Sequence, residues 1–64
     1  MKTKREIAGK YRQGSQWIVW SWNPTYAITT ETWPRNYWSA CAIVRKLRDA
    51  WDPKTQDYIE EKLY

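Results

Sequence analysis

Residues 16–22 read QWIVWSW, from Gln16 to Trp22, and place three tryptophans within seven residues. Aromatic and β-branched residues at this density favour a strand, whose successive side chains point to opposite faces. Trp20 and Trp22 then share one face and Trp17 takes the other. A chain of 64 residues has little material to cover both sides of a sheet. The side left bare is therefore the place to look for function.

Turn signals flank this strand. Before it, IAGKYRQ (7–13) alternates and ends at Gly14-Ser15, which fits a two-residue type II′ turn with Gly supplying the positive φ. After it, NPTY (23–26) has Asn and Pro in turn positions, and AITTETW (27–33) reads as a third strand that Pro34 ends. A helix follows: with Ser39 as N-cap, Ala40, Ile43, Val44, Leu47, Ala50 and Trp51 form one stripe at helical spacing. Trp38 would staple onto Ile43 from just ahead of the cap. Arg45 and Asp49 lie on the opposite face. Asp52-Pro53 ends this helix, and Pro53 fits the first position of a second, short, acidic one over 53–64. The fold class expected is α+β: a three-stranded antiparallel sheet packed on one amphipathic helix, with a short acidic C-terminal helix. Residues 1–6 are read as a flexible basic arm and 7–64 as one small domain.

The turns set the register. Gly14-Ser15 pairs Gln13 with Gln16, Tyr11 with Ile18, Gly9 with Trp20 and Ile7 with Trp22; the second turn pairs Trp22 with Ala27. One face collects Ile7, Tyr11, Ile18, Trp20, Trp22 and Ala27, and this is the side expected under the helix. Gly9 leaves room for the Trp20 indole to lie across its neighbour. The other face collects Ala8, Lys10, Arg12, Trp17, Val19, Ser21, Ile28, Thr30 and Thr32, and is read as a binding surface. Two structural alternatives compete for that face: the acidic C-terminal helix folding over it, or pairing of two copies into a homodimer.

Composition narrows the function classes. One Cys and no His leave no internal disulfide, no ligand set for structural zinc and no imidazole base. A lone thiol suits a reducing, cytoplasmic compartment, and Cys41 reads as a small packed hydrophobe on the helix flank. The longest uncharged run, Gln13–Thr30, is broken by Gly, Asn and Pro, so no membrane span and no signal peptide is expected. No nucleophile–base pair is identifiable: Glu31 has no second acid beside it, and the remaining acids read as helix-surface and capping groups. A non-enzyme without cofactor or metal is expected. Charge is uneven. Residues 1–48 hold nine Lys/Arg against Glu6 and Glu31, +7, whereas 49–64 hold two Lys against five acids, −3.

A basic body points to a polyanionic partner. Lys10, Arg12 and Trp17, with the hydroxyls of Ser21, Thr30 and Thr32, suit a nucleic-acid backbone, and the arm residues Lys2, Lys4 and Arg5 would extend the contact. The order of KYRQGSQWIVWSW, AITTETW and SACAIVRKLRDAW resembles the three-stranded-sheet-plus-helix DNA-binding domains of AP2 proteins and phage integrase arm-binding regions, over roughly residues 7–51. The tight turn, the Trp that follows it and the Thr32-Trp33 pair carry the resemblance. It implies that the sheet face away from the helix lies in the major groove of duplex DNA. Strand two has no charge and strand three no Lys or Arg, so the contacts carried over are Lys10, Arg12 and the arm. The competing expectation is a protein-interaction module, such as a phage-type accessory factor or an inhibitor of a host protein, anchored by Trp17, Val19 and Ile28.

Overall fold

The computed structural model describes residues 1–63. Three antiparallel strands, β1 (Ala8–Gln13), β2 (Gln16–Asn23) and β3 (Ile28–Thr32), pair in that order, and α1 (Tyr37–Ala50) packs on β1 and β2. A small hairpin, β4 (Trp51–Asp52) with β5 (Asp57–Tyr58), and a 3-10 turn over Glu60–Lys62 complete the chain.

The first hairpin has the register that its turn dictates. Gln13 opposes Gln16, Gly14 carries φ 63°, and the ladder continues through Tyr11–Ile18 and Gly9–Trp20. Ile7 extends it, its carbonyl accepting the Trp22 N–H at 2.7 Å. The second connection has the expected four-residue length but sits one residue further along the chain. Asn23 pairs with Ile28, and Ala27 sits at the end of the loop with φ 53°. The Asn23 carboxamide oxygen holds that loop by accepting the N–H groups of Thr25 and Tyr26. Trp22 consequently opposes Thr29 instead of Ala27, a shift of two that leaves every β3 side chain on its expected face.

The helix, however, covers the other side of the sheet. Ala8 and Val19 share a face with Lys10 and Trp17, and they are buried in one cluster with Ala40 and Val44 of α1. Arg48 of α1 donates two hydrogen bonds to the Ala8 carbonyl, at 3.2 and 2.9 Å. Side-chain size explains the choice. Ala8 and Val19 are short, and together with Ala40 they let the helix come close. The opposite face carries the Trp20 indole, which lies so flat across Gly9 that a Cβ there would sit 2.6 Å from the ring. Lys10 does not bar the helix, because its long stem carries the ammonium out beside the Tyr37 ring, and exposed Arg12 turns its guanidinium back to the Gly14 carbonyl.

The bare side of the sheet is covered by its own side chains. Ile18 is only 3% exposed although it stands outside the helix-side cluster. Its neighbours on that face are Tyr11 across the ladder and Trp20 two residues along. The Tyr11 hydroxyl donates to Glu31 across all three strands. At the end of the sheet, Ile7 and half-buried Trp22 join the main cluster. Trp20 and Trp22, both expected in a core beneath the helix, thus part company.

The helix begins earlier than its apolar stripe suggests. Asn36, not Ser39, is the N-cap, and its side chain accepts the Ser39 N–H at 2.9 Å. Trp38 therefore lies inside the first turn and is 78% exposed, with no stapling role. The second helix expected over 53–64 is replaced by the β4–β5 hairpin and the single 3-10 turn, Tyr64 lying outside the described residues. Asp52 accounts for the change: its carboxylate accepts the Lys54 N–H, and its carbonyl accepts that of Gln56, where φ is 57°. The reversal sets Trp51 against Tyr58, ring edge to face at 4.9 Å, with Trp51 only 1% exposed.

Residues 1–6, read as a free arm, dock on this hairpin. Gln56 exchanges hydrogen bonds with the Lys2 backbone in both directions, at 2.8 and 2.9 Å. The Trp51 indole N–H donates to the Lys2 carbonyl. The Lys4 ammonium donates to the carbonyls of Arg48, Asp49 and Trp51, closing the C-terminal end of α1 as a cation should.

Two outcomes test this architecture. Gly9→Ala drives a methyl into the Trp20 ring and should cost about 1–3 kcal/mol in chemical denaturation. In a Trp20→Ala background the same change should cost almost nothing; an equal cost in both backgrounds contradicts the contact. Burial, helped by the Asp57 carboxylate, holds the Tyr58 phenol above its ordinary 10.0. A phenol raised on folding contributes stability that is fully present below its unfolded pKa and is lost as pH climbs through the folded one. Stability should fall above about pH 10, and less steeply in Tyr58→Phe. Denaturation curves at several alkaline pH values measure both slopes.

Candidate nucleic-acid interface

Three of the residues singled out by sequence meet at the end of the sheet where α1 begins. Lys10 opposes Val19 and Arg12 opposes Trp17 on adjacent strands. The Trp17 ring meets Tyr37 at 5.0 Å and 62°, and Tyr37 meets Trp38 at 5.4 Å and 73°. The Lys10 ammonium stands 5.7 Å from the Tyr37 ring centre, and the Arg12 guanidinium bonds to the Gly14 carbonyl at 3.0 Å. The result is a run of three aromatic rings with two cations beside it.

The start of the helix adds to this character. No acid occupies its first turn, so the positive end of the helix dipole is uncompensated there. Arg35, exposed, immediately precedes the cap. Along the outward stripe of α1, Trp38, Cys41, Ala42 and Arg45 line a shallow recess of about 290 Å³. Arg35, Tyr37, Trp38 and Arg45 were not among the residues expected to bind. The available signal was Asn36: taken as the cap, it moves Trp38 from a staple into the first turn and onto the stripe of Arg45.

The remaining expected contacts lie elsewhere. Lys2 and Lys4 sit at the opposite end of α1, about 21 Å away for 14 residues at 1.5 Å each. There Lys2 stands 4.5 Å over the Trp22 ring and Lys4 caps the helix, so both cations serve the fold. Arg5 is exposed in the turn that opens the chain. Ser21 and Thr30 hydrogen-bond to each other at 3.1 Å. They line a separate groove of about 380 Å³ whose wall includes Asp57 and Glu60, a setting that repels phosphate. Thr32 is exposed opposite Val19, on the helix side of β3.

The sheet face turned away from α1 presents Tyr11, Ile18, Trp20, Thr29 and Glu31, and its strand residues include no Lys or Arg. The face that an AP2-like docking would lay in a groove thus offers one acid and no cation. Among the described residues, no group of three His, Cys, Asp or Glu is placed to hold a metal ion, and no helix is long and apolar enough to cross a membrane. No protein-family model, curated protein or solved structure matches the chain.

The division of cations between two ends is open to a direct comparison. Lys4→Gln removes a helix cap and should lower stability by about 1 kcal/mol while changing affinity for a polyanion less than twofold. Lys10→Gln, the same loss of charge, should weaken polyanion binding more and stability less. Thermal melts and binding to a labelled oligonucleotide measure the pair; equal losses of affinity contradict the division.

Proposed function

We propose that this chain is a non-catalytic nucleic-acid-binding module that engages its ligand at the α1 end of the sheet. Lys10, Arg12, Arg35 and Arg45 neutralise phosphates, and Trp17, Tyr37 and Trp38 supply ring surface for bases or sugars. The observation that carries this reading is the convergence of cations from β1, from the helix approach and from the helix itself on one aromatic cluster. The acidic C-terminal segment stands at the other end, which gives the molecule a polarity that orients a polyanion. No bond is made or broken in this role, and the single thiol of Cys41 suits a cytoplasmic setting.

A protein-interaction role is favoured by a different observation. Tyr26, Ile28 and Trp33 are large apolar side chains left exposed around β3. Aromatic anchors of this kind bind proteins with little dependence on salt.

Salt separates the two. Four phosphate contacts should give a log–log slope of affinity against salt near −3 to −4. The doubly reversed variant Lys10→Glu/Arg12→Glu should lose at least about tenfold in affinity for DNA or RNA at low salt. An unchanged affinity, or a flat salt profile, rejects the nucleic-acid role.

A further inference from the structure

We infer that the recess between Trp38 and Arg45 takes an unpaired nucleobase, which makes single-stranded nucleic acid the ligand class of this end of the molecule. The inference rests on the nucleic-acid role above and specifies its substrate. Trp38 is 78% exposed, more than any other large apolar side chain among the described residues except Met1. Water is a poor solvent for an indole, and the edge contact with Tyr37 holds this ring upright without covering it. The recess is lined at positions i, i+3, i+4 and i+7 of α1, so its four residues stand on one outward stripe. The two in the middle, Cys41 and Ala42, are small, which gives a low apolar floor between an aromatic wall and a guanidinium.

A planar base fits this arrangement. One face stacks on the indole, and Arg45 reaches the adjoining phosphate or covers the second face. Arg35, Lys10 and Arg12 lie around the same end to meet the following phosphates. The acid on the stripe, Asp49, is one turn beyond Arg45 and about 16 Å along the helix from Trp38. A duplex gives the cations as much charge as a single strand does, but its base faces are stacked on one another. Only an unpaired base makes use of the indole.

The test measures anisotropy of a labelled short oligo(dT), a short oligo(rU) and a duplex of equal length at low salt. Trp38→Ala should weaken one or both single strands about tenfold and the duplex less than twofold, and Trp38→Tyr should restore most of the loss. Whichever strand loses more names the sugar recognised. Far-UV circular dichroism checks that the variants fold, as a side chain outside the core should allow. Equal losses on single strand and duplex, or none on either, overturn the inference. The nucleic-acid role survives that result if Lys10→Glu/Arg12→Glu still weakens all three probes, and falls with it if that variant binds as the parent does.

Discussion

Close seating of α1 on small side chains decides the rest of this structure. Ala40 and Val44 come down on Ala8 and Val19, and all four are buried in one cluster. A helix packs where ridges find shallow ground, and here that ground lies on the polar-looking side of the sheet. Two consequences follow. The indole of Trp20 is left to close the opposite side by lying across Gly9, and Lys10 and Trp17 are brought to Tyr37 at the start of the helix, with Arg12 paired beside Trp17. The cation–aromatic cluster is thus a by-product of the packing choice.

A second set of interactions ties the termini to that seat. Trp51 fills the end of the core, and its indole N–H reaches back to Lys2. Gln56 and Lys4 complete a clasp between the first six residues, the last helical turn and the β4–β5 hairpin. Basic residues near the N-terminus therefore contribute to folding at one end while basic residues of β1 and α1 remain available at the other. Net charge alone does not distinguish these uses; position along the helix does.

The sequence specified much of this fold through local rules. Gly14-Ser15 fixed the first ladder, and Ala40, Val44 and Ala50 were recognisable as the buried stripe of α1. What escaped depended on non-local packing. Alternation sorts side chains into two faces but does not say which one a helix covers, and apolar content misled because Lys10 and Arg12 carry their charges clear of the contact. Asn36 and Ser39 are both good caps, and only the folded chain shows Asn36 accepting from Ser39. Pro53 permits a helix, yet burial of Trp51 against Tyr58 favoured a hairpin, with Gln56 at positive φ. Of the expected binding residues, Lys10, Arg12 and Trp17 stay together because one hairpin holds them. Lys2 and Lys4 part from them because tertiary contacts claim both.

On the proposed reading, nucleic acid meets this molecule where β1 and the start of α1 share cations and rings. Residue-resolved NMR during titration with a short oligonucleotide tests it most directly. Binding there should shift the indole N–H signals of Trp17 and Trp38 and the amides around Lys10, Arg12 and Arg45, and the shifts should fade as salt is raised. Shifts confined to Tyr11, Trp20 and Glu31, or none at any concentration, would contradict it.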